Sequence, residues 1–107
     1  MVKTRQQVEG VITRFVEKLK ELGVTPATVM LYGSYSRGTA GEDSDIDLIV
    51  VSRDFEGMNL LQRLEVLGVA AARILEPVQA KGYTPEEFEA AEEPFLREII
   101  KHAKVAA

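Results

Sequence analysis

The sequence contains no cysteine. This absence excludes disulfide bonds, thiolate nucleophiles and zinc sites built on thiolates. Any metal bound by this chain is therefore expected to be held by oxygen ligands. Histidine occurs only once, at position 102, far in sequence from Asp45 and Asp47. A cation near the end of a helix is the expected role of His102, and we assign it no catalytic task.

Long hydrophobic runs are also missing. No apolar stretch approaches the ~18 residues that suggest a membrane span, and residues 1–10 lack the apolar region of a signal peptide. We therefore expect a cytoplasmic protein with no membrane partner. Positive charge is scarce too, since 13 Lys and Arg oppose 17 Asp and Glu. Nucleic-acid binding rests largely on neutralising phosphates, so long DNA is not an expected partner of this chain alone.

The length and composition fit one folded domain. The 107 residues are 46% hydrophobic and 28% charged, a balance typical of globular proteins. Because domains usually run to about 100–150 residues, residues 1–107 are expected to form a single domain with one site. A domain of this size leaves much of its surface exposed, so a homodimer or a partner that covers apolar surface is compatible with it.

Hydrophobic periodicity predicts an α/β (α+β) fold in which helices and strands are mixed. Helices are expected over 4–22 with Thr4 as cap, over 59–74 with Asn59 as cap, from Thr84 and Pro85 onward, and over 95–105. Strands are expected over 27–32, 46–51 and 75–83, and Pro77 in the last is compatible with a sheet edge or with the start of a strand. The helix over 59–74 is expected to pack through apolar residues at helical spacing, namely Leu60, Leu61, Leu64, Leu67, Ala71 and Leu75.

Two aspartates open the second predicted strand. Side chains alternate across a strand, so Asp45 and Asp47 project to one face while Ile46 and Leu48 face the core. Two carboxylates brought close together repel each other unless a cation neutralises them. Hard oxygen ligands with no histidine or cysteine nearby suit Mg²⁺, so the pair predicts a metal site.

A glycine turn precedes these aspartates. Gly33 ends the first predicted strand and lets the backbone approach a ligand, and Ser34 supplies a hydroxyl and an N–H at the start of a short helix. Arg37 lies one turn further on and can neutralise the same phosphates. This pattern predicts a polyphosphate site next to the metal site. Tyr35 and Ser36 are expected to face solvent.

Two better-known motifs can be excluded. The spacing of Gly33 and Gly38 is that of a P-loop, but Thr39 and Ala40 replace the Lys-Ser/Thr pair that would contact phosphate and metal. The alternating aspartates resemble the opening of a calcium loop, yet Leu48 stands where the turn glycine is required. Taken singly, a Gly-Ser pair is usually a turn and two aspartates are usually solvated. Their combination at this spacing favours a nucleotide and metal site.

The same residues carry a family resemblance. A Gly-Ser pair at 33–34, ten intervening residues, and Asp-Ile-Asp-Leu at 45–48 are similar to the signature of the DNA polymerase β-like nucleotidyltransferase superfamily. The short chain resembles its minimal nucleotidyltransferases, from the first strand to the helix after Thr84. The resemblance implies a palm fold, a small mixed β-sheet of about three to four strands flanked by helices. It also implies that Gly33 and Ser34 bind the triphosphate, that Asp45 and Asp47 bind Mg²⁺, and that Arg37 occupies a frequently basic position.

The third carboxylate of the superfamily has no clear counterpart. It generally comes from a later strand, where it completes the metal site or acts as base, and the corresponding stretch here is 75–80. Glu76 is the available acid and is the predicted third catalytic residue. If Pro77 or Gln79 takes that position instead, the catalytic set is incomplete.

Two functions follow from the resemblance. The first is a Mg²⁺-dependent nucleotidyltransferase that transfers a nucleoside monophosphate, AMP, from ATP to a hydroxyl acceptor. Minimal nucleotidyltransferases are often paired with an all-helical HEPN-domain protein as antitoxin and toxin, so the acceptor is expected on that partner. The alternative is a catalytically weak or inactive nucleotide-binding module that neutralises the HEPN partner by binding alone.

Overall fold

The computed structural model describes residues 2–107, which build a four-stranded mixed sheet flanked by helices. The elements in chain order are α1 (Arg5–Glu21), β1 (Thr28–Tyr32), α2 (Ser34–Arg37), β2 (Ile46–Val51), a 3-10 turn (Arg53–Phe55), α3 (Leu60–Ile74), β3 (Val78–Tyr83), α4 (Pro85–Ala90), α5 (Pro94–Ile100) and β4 (Lys104–Val105). The strand order is β3-β2-β1-β4. Strand β2 runs antiparallel to β1 and parallel to β3, and β4 runs antiparallel to β1. The predicted fold class is confirmed.

Local capping signals account for the helix starts. The Thr4 hydroxyl accepts a hydrogen bond from the Gln7 N–H, and the Gln7 side chain accepts one from the Thr4 N–H. Asn59 and Gln62 form the same reciprocal pair at the start of α3. Each pair satisfies donors that the first turn of a helix leaves without a partner. The predicted caps at these two positions are confirmed.

The sheet separates two apolar layers. Ile46, Leu48 and Val50 of β2 pack with α1 and α3 on one face, as strand alternation predicts. Ile49 and Val51 point to the other face, where they pack with residues of α5. Strand β2 is thus buried on both sides, and Asp47 is the polar residue in its sequence.

The predicted packing face of α3 is wrong in part. Leu67 is buried, but four of the other predicted contact residues are exposed, with exposed fractions of 73% for Leu60, 65% for Leu61, 46% for Leu64 and 89% for Leu75. The helix instead buries Leu67, Ala70 and Ile74. Apolar residues surround most of this helix, so spacing alone could not select the side that meets α1 and β3.

The end of the chain also differs from the prediction. The helix expected over 95–105 stops at Ile100, and Lys104–Val105 form β4 beside β1. The backbone of Val29 accepts a hydrogen bond from the Ala106 N–H and donates one to the Ala107 carbonyl, both at 2.8 Å. Edge pairing satisfies β1 groups that a longer helix would leave open, and this outweighs the helical pattern.

Strand β3 lies at the edge of the sheet, one of the two placements that Pro77 allows. The strand begins one residue after this proline, whose carbonyl accepts the Ile46 N–H at 2.8 Å. A proline cannot donate to a ladder but can accept, so it fixes the alignment of β3 with β2 without breaking the pairing.

Arg63 of α3 joins several elements. Its guanidinium donates to the carbonyls of Met58 (3.1 Å), Gly82 (3.2 Å) and Phe55 (3.2 Å) and to the Glu87 carboxylate (2.6 Å). It also lies 5.7 Å from the centre of the Phe55 ring. Only 13% of the Arg63 side chain is exposed, so its contacts with the three carbonyls are partly shielded from water, whereas the Glu87 carboxylate is 47% exposed. One residue therefore links α3 to β3 and α4.

We expect Arg63→Lys to lower the free energy of unfolding by about 2–3 kcal/mol, because an ammonium cannot reproduce the planar set of donors and charged hydrogen bonds each contribute about 1.5–3 kcal/mol. Chemical denaturation monitored by circular dichroism measures this. Arg5→Lys is the matched control, since Arg5 is 93% exposed and forms an exposed ion pair with Glu9. Equal effects in the two variants would contradict the linking role of Arg63.

Within residues 2–107, no helix is both long and apolar enough to cross a membrane.

Candidate active site

Strand β2 presents both aspartates on one side of the sheet. Asp45 immediately precedes the strand and is exposed, and Asp47 is its second residue and is half-buried. Ile46 and Leu48, between and after them, are fully buried on the opposite face. The predicted alternation therefore holds, and the carboxylates lie on the face opposite to the α1 and α3 layer.

Gly33 packs directly against Asp47. Its backbone has φ 73° and ψ −153°, a conformation that only glycine adopts without strain. A Cβ at this position would overlap Oδ2 of Asp47 and lie 3.1 Å from its Cγ. The turn and the carboxylate thus meet because no side chain stands between them.

The turn leads into the four-residue helix α2. The Gly33 carbonyl accepts the N–H groups of Ser36 and Arg37, each at 3.1 Å. The first N–H groups of a helix have no partner inside it, so those of Ser34 and Tyr35, which precede these bonds, can meet an anion. Ser34 is the first residue of α2 and half-buried, and Arg37 is its last and exposed.

Tyr35 and Ser36 do not simply face solvent, as the sequence suggested. Ser36 is 6% exposed, and its hydroxyl donates to the His102 carbonyl at 2.8 Å. Tyr35 is half-buried against the core, and its hydroxyl accepts the Lys3 N–H at 3.4 Å. These contacts connect α2 to residues 66 and 32 positions away in the sequence.

The charges around Asp47 act in opposite directions. Burial raises the pKa of its carboxyl above the ordinary value, the Asp45 charge raises it further, and the Arg37 charge lowers it. All three of these side chains are therefore close enough to interact electrostatically. A cation bound between the two carboxylates would remove the repulsion that raises this pKa.

We expect Asp47→Asn to raise the melting temperature of the metal-free protein at neutral pH. The folded state binds the Asp47 proton more tightly than the unfolded state, so unfolding free energy falls as pH rises through the ordinary aspartate pKa to the raised value. The asparagine variant avoids this loss. Thermal unfolding at several pH values, with a chelator present, measures the difference, which should shrink in acid. A variant less stable than the parent at neutral pH would contradict the electrostatic cost.

Two aromatic side chains, Tyr32 and Phe95, lie near the aspartates. Tyr32 lies opposite Asp47 in the antiparallel ladder, and its ring meets that of Phe95 edge to face at 6.1 Å. Lys81 places its ammonium 4.2 Å from the centre of the Phe95 ring. Burial, with the Asp47 charge, raises the pKa of Tyr32 to about 12, so its phenol stays protonated as a hydrogen-bond donor. No local sequence pattern marks these residues, because strand pairing is what brings them beside Asp45 and Asp47.

The predicted third carboxylate is not brought to the aspartates. Glu76 is bound by Arg14 at 2.9 Å and by Lys3 at 3.3 Å, both from the amino-terminal part of the chain. No group of three or more acidic, histidine or cysteine side chains suited to a metal occurs within residues 2–107. Ion pairs with Lys3 and with Arg14 of α1 therefore account for the position of the Glu76 side chain.

Gln79 occupies the register position next to Asp47. The parallel ladder pairs Asp47 with Gln79, and the side chain of Gln79 is exposed. Paired residues in neighbouring strands project to the same face, so Gln79 lies on the side of the aspartates. The position from which β3 could add a ligand is thus taken by an amide.

We expect Glu76→Gln to lower the free energy of unfolding by about 0.5–1 kcal/mol, the range of partly exposed ion pairs, and to leave nucleotide affinity unchanged. Its carboxylate is engaged in ion pairs with Arg14 and Lys3. Denaturation and calorimetry with a non-transferable ATP analogue measure the two quantities. A loss of affinity without a loss of stability would return Glu76 to the metal site.

The donor set fits one hard divalent cation. Asp45 and Asp47 supply carboxylate oxygens on one face, at least one of them partly solvated, which leaves room for the waters that Mg²⁺ keeps. The Gly33 turn places phosphate-binding backbone against the same carboxylate. Asp45 and Asp47 would hold such a cation, which would offset the charge of a substrate's phosphates.

Two known proteins are similar in sequence to this chain. Protein adenylyltransferase MntA of Thermococcus cleftensis is 40% identical over 65 residues, which are 59% of this chain and 61% of that protein. A putative protein adenylyltransferase of Methanocaldococcus jannaschii is 36% identical over 50 residues, 46% of this chain and 34% of that protein. The matches therefore cover less than two thirds of either relative.

Solved structures share the fold. A putative nucleotidyltransferase from Sulfolobus solfataricus superposes with a TM-score of 0.67 at 19% identity, covering 98% of this chain and 89% of that one. A toxin-antitoxin crystal structure with AMP-PNP gives 0.64 at 22% identity, covering 92% and 72%. A complex of tri-AMPylated Shewanella oneidensis HEPN toxin with MNT antitoxin gives 0.58 at 18% identity, covering 97% and 72%. The TM-scores establish a common fold, and at identities this low the likeness is one of fold alone.

The family assignment rests on a longer match. The family model described as a nucleotidyltransferase domain aligns with residues 12–106, which include the Gly33 turn, both aspartates and all four strands. The chain therefore belongs to the nucleotidyltransferase domain family.

Proposed function

We propose that this protein transfers AMP from ATP to a hydroxyl group on a HEPN-domain partner, as the antitoxin half of a two-component system. The observation that carries the proposal is the contact between the Gly33 turn and the Asp47 carboxylate, with Asp45 and Arg37 beside it. Support also comes from the relatives, which are named protein adenylyltransferases, and from the AMPylated HEPN toxin bound to an MNT antitoxin.

Each site residue has a physical task in this proposal. Asp45 and Asp47 hold Mg²⁺, which when bound offsets the negative charge of the triphosphate. Gly33 brings its backbone close to the phosphates, and Ser34 donates its hydroxyl and N–H to them. Arg37 neutralises remaining phosphate charge with a guanidinium that cannot lose its proton.

The transfer is a substitution at the α-phosphorus of ATP. The acceptor hydroxyl oxygen forms a bond to this phosphorus, while the bond from the phosphorus to the oxygen bridging to the β-phosphate breaks. Pyrophosphate leaves with the bonding electrons, and the hydroxyl proton is released to solvent. The chain contributes mainly by positioning and by offsetting charge, the two factors that dominate phosphoryl-group chemistry.

Residues 1–107 act as one domain in this proposal, and the acceptor comes from the partner. The test is incubation of the purified protein with its HEPN partner, Mg²⁺ and ATP labelled at the α-phosphate. We expect label on the partner, no label from ATP carrying it at the γ-phosphate, and loss of transfer on chelation. Absence of label on the partner under conditions in which ATP binds would contradict the transferase function.

A binding-only module is the second candidate, favoured by the ion-paired Glu76 and by Gln79 beside Asp47. In that case the partner is neutralised by contact and the nucleotide site is retained without turnover. Size-exclusion chromatography of the complex separates the two candidates. A tight complex without label transfer, unchanged in Asp45→Asn and Asp47→Asn, would identify the binding module.

A further inference from the structure

Strand β3 determines what faces the two aspartates from the neighbouring strand. The parallel register pairs Asp47 with Gln79 and Ile49 with Lys81. Alternation puts Gln79 and Lys81 on the face of Asp47 and turns Ala80 toward the α1 and α3 layer, where it packs against the core. The first β3 side chain beside the site is therefore neutral, and the second is a cation.

No other described acid takes the place of a carboxylate on β3. Glu76 is engaged by Arg14 and Lys3, and among residues 2–107 no metal-suited group of three acids occurs. Lys81 carries the wrong charge for a metal ligand, and its ammonium lies over the Phe95 ring. The negative charge that the described residues supply to the site is thus limited to the pair of aspartates.

The ligands that the protein supplies limit the number of cations. One divalent ion could be held by the two carboxylates and the triphosphate together, whereas a second ion would need a further protein ligand, and the side chain available on β3 is an amide that carries no charge. Ions in two-metal sites lie only about 3.5–4 Å apart, so their repulsion must be offset by additional anionic ligands. A glutamate at position 79 would supply such a ligand from the same place in the ladder.

We propose that Gln79 limits this site to a single divalent cation, and that a carboxylate at position 79 admits a second. The inference rests on the proposed function, because it requires nucleotide and metal to bind at Asp45 and Asp47. It adds a specificity residue that sets the metal stoichiometry of the site.

The test counts bound Mn²⁺ by electron paramagnetic resonance, with an ATP analogue whose α–β bridge is methylene so that transfer cannot occur. The protein, Gln79→Glu and Gln79→Asp are compared at saturating analogue. Gln6→Glu is the matched control, since Gln6 is exposed on α1, on the other side of the sheet, and the change adds the same charge. We expect one ion per chain in the parent and in Gln6→Glu, and two in Gln79→Glu or Gln79→Asp.

The outcomes separate this inference from the proposed function. Two ions in the parent, or one ion in both position-79 variants, would overturn the role of Gln79 while leaving nucleotide binding intact. A second ion in Gln6→Glu would show that added charge alone suffices, and would also overturn it. No ion and no analogue bound by the parent would overturn the proposed function itself.

Discussion

Asp45→Asn and Asp47→Asn are each expected to weaken Mg²⁺-dependent binding of ATP by about 10²–10³-fold, which lies within the about 2–5 kcal/mol lost when one partner of a buried charge pair is removed. Asparagine keeps the size of aspartate but removes the charge that attracts the cation. The loss should be larger for Asp47, which is half-buried and contacts the Gly33 turn. Isothermal titration calorimetry with a non-transferable ATP analogue, with and without Mg²⁺, measures the effect.

Asp43→Asn is the control for this pair. Asp43 is exposed in the same loop, two residues before Asp45, so the substitution removes the same charge outside the strand. We expect its affinity to stay close to that of the parent protein. If all three variants lost affinity equally, the effect would come from the general charge of the loop and not from a site formed by β2.

Gly33→Ala is expected to lower ATP affinity by about 10²-fold or more and to lower the free energy of unfolding by about 1–3 kcal/mol, the cost of a residue held in a sparsely populated backbone region. The added Cβ would overlap Oδ2 of Asp47, so either the turn or the carboxylate must move. A movement of about 1 Å is enough to cost about 10²-fold in a positioned site. Calorimetry and thermal unfolding measure the two effects.

Gly23→Ala separates backbone strain from the clash. Gly23 also has a positive φ, 91°, but a Cβ there meets nothing within 4 Å, and it lies in the connection after α1. This variant should lose stability while keeping its affinity for ATP. Equal losses of affinity in both glycine variants would indicate that global destabilisation, and not the contact with Asp47, controls binding.

Much of the site could be predicted because its determinants are local. Turn chemistry at Gly33, alternation of Asp45 and Asp47, and the start of a helix at Ser34 each depend on a few neighbouring residues. Their spacing then matched a family signature. The predicted placement of these residues is consistent with the structure, and their binding roles remain predictions for the variants above.

Long-range pairing could not be predicted from the same patterns. In the sequence Glu76 is an acid available to the metal site, whereas in the fold it pairs with Arg14, which lies 62 residues away along the chain. Tyr32 and Gln79 flank Asp47 only because β1 and β3 align with β2 in one register. Each alignment depends on the whole sheet, so no window of sequence contains it. Helix α3 carries apolar residues on most of its sides, so their spacing did not predict which side packs against the core.

Strand β4 protects the sheet from pairing with other molecules. Strand β1 carries the apolar residues Val29 and Met30, and its outer backbone groups bond to the segment 104–107. Without that cover, β1 would present an open, hydrophobic edge of the kind that templates aggregation. The two-residue strand, which adds little to the core, is thus what keeps the strand leading into Gly33 from becoming a seed for intermolecular β-sheet.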